Sequence, residues 1–328
     1  MSISTAPPTT ASVGASPVTG PDPEAAAARA PRIRRRFAGL RIPLLFLAPF
    51  LLLFLAMYVL PILFAIGQSL FTLTRSGLGL TAPTLTFDPL ANYARVFADT
   101  EFIASLGRVV LFGAVQVPVM LGLALVLALL LDSRSARGKS FFRLASFLPF
   151  AVPGVVAALM WSFLYSPVSS PINNFLNDSF GFTIPFFSDG FALWSVANIV
   201  TWTWTGYNML IIYSALQTIP GETLEAAKLD GASAWRTAWS VKIPMVRPAL
   251  ILTTVFSIIG SAQLYNEPRV LQPVSGGSIT STFTPLMAAQ AQVGAQNYPY
   301  AAAQSVVLAL LVGVLSYGFF RLTNRGEK

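Results

Sequence analysis

The chain has 328 residues, of which 54% are apolar and 10% charged, and its formal net charge is +8. An ordinary soluble domain carries roughly 25% charged residues, so this composition leaves too little polar surface for a water-soluble globule and points to an integral membrane protein. The lack of cysteine and histidine excludes disulfides and thiol chemistry, and removes the usual general base and the commonest metal ligand.

In chain order, residues 1–40 form a basic tail. Its first 31 residues are rich in Ala, Pro, Ser and Thr without helical or strand periodicity, as in a disordered segment. The Arg34-Arg35-Arg36 run precedes an apolar stretch too long for a signal peptide, with no small-residue cleavage site after it. Apolar runs of about 20 residues then predict six membrane spans, at 43–70, 107–131, 144–165, 191–217, 246–266 and 300–320. The first holds Pro49 and Pro61, and the others read as mostly continuous Leu, Val, Ala and Phe. Residues 41–328 are thus one all-α transmembrane domain, a six-span helical bundle.

Basic residues cluster at the ends of these runs, which explains the positive charge without nucleic acid. The tail carries Arg29, Arg32, Arg34, Arg35, Arg36 and Arg41. Arg134, Arg137, Lys139 and Arg143 follow the second span, and Lys228, Arg236, Lys242 and Arg247 follow the fourth. Arg321, Arg325 and Lys328 end the chain, while the opposite side has only Arg75, Arg95, Arg108 and Arg269. The positive-inside rule places both termini and the 218–247 loop in the cytoplasm.

Gly138-Lys139-Ser140 resembles the end of a phosphate-binding loop, but the glycine required five positions earlier is Ser133, and a transmembrane helix precedes it instead of a strand. It reads as a basic turn. No predicted span has a charge at its middle, which argues against an ion-coupled carrier and against a membrane enzyme. The acids Asp88, Asp99, Glu101, Asp178, Asp189 and Glu267 fall in modest loops on the non-cytoplasmic side. No catalytic residue, cofactor or metal site is expected.

The 218–247 loop is the most informative stretch. Pro220-Gly221 ends the fourth span. Glu222 and Glu225 fall in the first turn of a short helix, complementing its dipole, and Ala226 and Ala227 give it a small face. Asp230-Gly231 stops that helix, Ser233 caps a second, and Trp235 and Trp239 share its apolar stripe. Physics alone leaves two readings open, a docking element for another protein or an amphipathic helix lying in the headgroups. In the last span Ala301, Ser305, Ala309 and Gly313 recur every four residues, a stripe that lets helices approach closely in lipid. It serves either the packing of this bundle, the favoured reading, or contact with a partner permease.

Glu225-Ala226-Ala227-Lys228-Leu229-Asp230-Gly231-Ala232, continuing to Ile243-Pro244 and Pro248, resembles the EAA loop of ABC importer permeases. Asn92-Tyr93 with Phe97 and Phe102 before the second span, Leu148-Pro149 with Trp161, Ile172-Asn173 with Leu176, and Tyr298 through Ser305 extend the likeness over residues 40–325. Together they resemble carbohydrate-importing permeases of the maltose and glycerol-phosphate type, first-subunit kind. Ser275-Gly276-Gly277-Ser278 stands where that family has Gly-Gly-Pro.

The resemblance implies the type I ABC importer permease fold in the bacterial cytoplasmic membrane, and import of a carbohydrate, a di- or oligosaccharide, without ATP hydrolysis by this chain. The implied partners are a second homologous permease, two copies of an ATPase, an extracytoplasmic solute-binding protein and membrane lipid. Glu225, Ala226, Ala227, Asp230 and Gly231 are the implied ATPase-coupling residues. Thr203, Trp204, Tyr207 and Asn208 on the fourth span, with Ser257, Gly260, Ser261 and Leu264 on the fifth, are the implied substrate pathway. Their neutrality favours a sugar over the alternative solutes, a glycerol phosphate or a polyamine. A membrane enzyme is the remote alternative.

Overall fold

The computed structural model describes residues 43, 45–74, 82–133 and 135–324. The tail at 1–40, together with Arg41, Arg75, Arg134, Arg325 and Lys328, therefore lies outside the described residues. The chain divides into two compact units, residues 1–61 and 62–328.

The apolar helix α1 runs from Leu45 to Ser69. Within the first unit it carries a π-turn at Leu55–Val59, closed by the Leu60 N–H on the Leu55 carbonyl. Pro61 explains that turn, because its missing N–H cannot pair with the carbonyl four residues earlier. Phe50, Phe54 and Tyr58 stack along one face with ring centroids 6.0 and 5.6 Å apart.

In the second unit, β1 (Phe71–Thr74) pairs antiparallel with β2 (Thr84–Phe87), Phe71 opposite Phe87. α2 (Ala91–Ala98) follows. Its Asn92 amide donates to the carbonyls of Ser69 (3.1 Å) and Phe71 (2.6 Å), and the Tyr93 hydroxyl bonds Ser69 Oγ at 2.7 Å. The Asn-Tyr pair thus clamps the turn between helix and hairpin.

The second span is longer than its apolar run. α3 (Thr100–Asp132) begins at an N-cap in which the Asp99 carboxylate accepts the Phe102 N–H at 3.0 Å. Phe102 therefore belongs to the helix and does not precede it. The cap outweighs the polar residues that follow it, and a capping carboxylate is worth roughly 1 kcal/mol over alanine. The Tyr300 hydroxyl donates to the other Asp99 oxygen at 2.8 Å, with Arg95 over the Tyr300 ring at 4.1 Å.

The third span is not continuous. α4 (Lys139–Ala151) and α5 (Gly154–Leu164) meet at a bend of 93°. Pro153 forces Val152 into extended backbone (φ −77°, ψ 128°), and Pro149 removes a further donor from the last turn of α4. After α6 (Pro171–Phe180), Asn173 exchanges two hydrogen bonds with the backbone of Ile184, at 3.0 and 2.9 Å, pinning the connection.

α7 (Ala192–Leu216) is the predicted fourth span almost to the residue, and 13 of its 25 residues are buried. It is the central helix. Its first half joins a core cluster with Phe112, Tyr165, Leu271 and Met287. Its second half joins another with Ala124, Ala128, Leu131 and Val246. Gly206 permits its closest approach: a Cβ there would lie 1.7 Å from the Ser146 carbonyl oxygen of α4. Twenty-five residues at 1.5 Å each give about 37 Å, enough to cross a bilayer.

Two short helices, α8 (Gly221–Leu229) and α9 (Ala234–Thr237), form the following polar segment. A π-turn at Ala238–Lys242 then leads into a helical turn at Ile243–Met245. Pro244 accounts for that π-turn as Pro61 does for the first. The fifth span is α10 (Arg247–Ala262), broken at Gln263–Tyr265 and resumed as α11 (Asn266–Leu271). α12 (Pro285–Gly294) and the last span, α13 (Tyr298–Asn324), complete the chain.

The small-residue stripe of α13 is not in the bundle interior. Only Ala301 is buried, while Ser305, Ala309 and Gly313 are exposed. Tyr300, Ala303, Gln304 and Leu308 pack inward instead.

Candidate functional site

α8 ends in a hydrogen-bonded Schellman turn. The Ala232 N–H reaches the Ala227 carbonyl and the Gly231 N–H the Lys228 carbonyl, each at 3.0 Å, with Gly231 at φ +75°. Ser233 Oγ then caps α9 by accepting the Arg236 N–H at 3.3 Å. Glu222 lies in the first turn of α8, but Glu225 falls a turn later, because the helix starts at Gly221.

Glu225, Ala226, Asp230 and Gly231 are exposed on this segment. Ala227 is not: it is 9% exposed and packs against the rest of the chain. Leu229 is 90% exposed, and the exposed rings of Trp235 and Trp239 stack at 6.2 Å. An apolar residue at the last helical position was visible in the sequence, but its direction depends on where the helix begins.

The segment is tied to the bundle by charge. Lys242 forms a salt bridge with Asp132, the last residue of α3, and Gln217 at the end of α7 donates to the same carboxylate at 2.7 Å. It is the one salt bridge among the described residues, and both side chains are largely buried. Sequence reading missed it, since 110 residues separate the partners.

A cavity of about 300 Å³ opens between α3, α7 and α10. Trp204, Tyr207, Asn208, Ser257, Gly260, Ser261 and Leu264 line it, seven of the eight residues expected on the pathway. Thr203 does not. It is buried in the helix packing, 7% exposed. Phe150 of α4 props the aromatic wall, stacking on Tyr207 at 4.6 Å and meeting Trp204 edge-on at 5.1 Å.

Gln116 of α3 also lines the cavity, 2% exposed, within 3.4 Å of both Ser261 Oγ and Thr201 Oγ1. It links the second, fourth and fifth spans. A lone amide in an otherwise apolar run was the available signal. Glu267, expected in an outer loop, is instead on α11, which continues the fifth span past the break at Gln263–Tyr265, and it lines the cavity.

The family model described as "Binding-protein-dependent transport system inner membrane component" matches residues 119–327. The lactose transport system permease protein LacF of Rhizobium radiobacter is 34% identical over 280 residues, covering 83% of this chain and 91% of that one. The chain belongs to this permease family.

The diacetylchitobiose uptake system permease protein NgcF of Streptomyces coelicolor is 31% identical over 317 residues, 92% of this permease and 89% of its own length. The sn-glycerol-3-phosphate transport system permease protein UgpA of Agrobacterium fabrum is 30% identical over 290 residues, covering 87% and 95%. A crystal structure of a bacterial ABC transporter involved in the import of the acidic polysaccharide alginate matches the permease fold with TM-score 0.73 at 16% identity, over 90% of this chain and 100% of that one. The type I importer permease architecture thus holds for this chain. All six expected spans are present as apolar or core helices among the described residues, the third as a bent pair.

Proposed function

We propose that this permease imports a neutral carbohydrate, a di- or oligosaccharide, through the cavity between α3, α7 and α10. The observation that carries the reading is the cavity's lining. Trp204 and Tyr207 offer apolar faces to a pyranose ring, Asn208, Ser257 and Ser261 offer hydrogen-bonding groups, and Gly260 leaves space. No Lys or Arg lines it, as a phosphate ester would require, which argues against glycerol phosphate. The lactose and diacetylchitobiose systems of the relatives support the same solute class.

The permease works with a second, similar permease, two copies of an ATPase and an extracytoplasmic solute-binding protein, and both its termini are cytoplasmic. The ATPase docks on the exposed α8–α9 surface of Glu225, Ala226, Asp230 and Gly231, joined by Leu229, and hydrolysis belongs to that subunit. Closure of the ATPases pulls this segment, and the Lys242–Asp132–Gln217 tie passes the movement to α3 and α7 together. Backbone contact at Gly206 carries α4 with α7, so the Phe150–Tyr207–Trp204 wall and the cavity change as one body. This is two-state switching between inward and outward forms.

The test is uptake of the solute that the cognate binding protein retains. Tyr207→Ala and Ser261→Leu are expected to cut uptake about tenfold or more while the complex assembles and its basal ATPase is unchanged. Normal uptake in both variants moves the pathway off this cavity.

A further inference from the structure

Glu267 has no role in the packing described above, yet its carboxylate lines the solute cavity. No Lys or Arg shares that lining, and the one salt bridge among the described residues is the distant Lys242–Asp132 pair. Arg269, two residues on, is engaged by the Gln272 side chain. The carboxylate also lies beside the start of α5: a Cβ built on Gly154, the first residue of that helix, would sit 3.9 Å from Glu267 Oε1. That helix has eleven residues, and its first-turn N–H groups have no intrahelical partner.

We propose that Glu267 makes the cavity an anion-excluding filter, which admits neutral and cationic hydroxylated solutes and rejects phosphate esters and uronates. The proposal rests on the reading that solute passes this cavity. A carboxylate accepts hydrogen bonds from sugar hydroxyls that are roughly twice as strong as neutral ones. Its uncompensated charge in a partly dehydrated space repels a phosphate or carboxylate far more than it would in water. One residue thereby supplies both recognition of hydroxyl-rich solutes and discrimination by charge.

The experiment needs no knowledge of the natural solute. The chain has no native cysteine, so Ser257→Cys places a single thiol in the cavity wall of the full permease, assembled with its partners in permeabilised membranes. Its modification is followed by the mass of this chain, using a cationic (trimethylammonioethyl) and an anionic (sulfonatoethyl) methanethiosulfonate. The ratio of the two rates cancels differences in thiol reactivity and reports the local field. Adding Glu267→Gln should lower the cation-to-anion ratio roughly tenfold, and Glu267→Asp should preserve it. Gly260→Cys on the same wall repeats the measurement if a Ser257→Cys variant does not assemble. A ratio that Glu267→Gln leaves unchanged overturns the filter. Normal uptake in Tyr207→Ala and Ser261→Leu would instead remove the cavity from the solute path and leave the measured field as it is.

Discussion

Replacing Gly206 by alanine tests the central packing of the bundle. The added Cβ would fall 1.7 Å from the Ser146 oxygen, 2.5 Å from its carbonyl carbon and 3.0 Å from the Phe147 Cα. All three are main-chain atoms, so no side chain can swing aside, and relief to the roughly 3.5 Å of ordinary contact must come from parting α4 and α7. Overpacking of this kind costs about 1–3 kcal/mol, and a clash with backbone alone puts Gly206→Ala near the upper figure. At roughly 2–4 °C per kcal/mol, the purified permease should melt about 5–10 °C lower. Parting the helices also withdraws Phe150 from Tyr207, now 4.6 Å away, so solute uptake should fall even where protein is inserted at normal levels. Gly260→Ala is the matched comparison, since its Cβ would meet nothing within 4 Å. It should melt like the parent. Gly206→Ala melting within about 2 °C of the parent and transporting normally would refute the backbone-contact argument.

Removing Asp132 with Asp132→Ala strands Lys242 and frees Gln217, and should cost roughly 1–3 kcal/mol, below the figure for a fully buried pair because both groups keep some solvent. The exchange Asp132→Lys with Lys242→Asp should recover part of it in the same melting assay. Leu229→Asp, on a side chain 90% exposed, should leave folding intact and abolish co-purification of the ATPase, whereas Ala227→Asp should reduce the amount of folded permease. Gly231→Pro should uncouple ATP hydrolysis from uptake, because proline cannot take the φ of +75°. Normal coupling there would remove the turn from the docking surface. Single cysteines at Ser135 and Ser233 should react with impermeant reagents only from the cytoplasmic side, and at Ser169 and Ser278 only from outside. One reversed position would contradict the orientation.

Apolar runs and basic flanks made four of the six spans legible as long apolar helices, while the fourth span stands in the fold as the largely buried helix α7. The third span was misread for a local reason. Val152-Pro153 interrupts a run whose composition stays apolar, so a window average passes over a 93° bend. The polar segment after α7 was legible in detail, since caps such as Ser233 and the Gly231 turn are local chemistry. Whether Ala227 or Leu229 faces outward was not, because that depends on the phase of a nine-residue helix against the rest of the bundle. Most of the cavity wall followed from the resemblance, while Gln116 and Glu267 required knowing which helices meet.

The Lys242–Asp132 pair also bears on how the chain is made. Asp132 leaves the ribosome 110 residues ahead of Lys242, a gap of about 5–20 s at ordinary synthesis rates of 5–20 residues per second. During that interval the Asp132 carboxylate lacks the partner it has in the finished fold and has only the basic residues that follow it, among them Arg137, Lys139 and Arg143, near it in sequence. Arrival of Lys242, just before α10 enters, neutralises it. A nascent chain halted before that point lacks the tie that joins the end of α3 to the segment after α7.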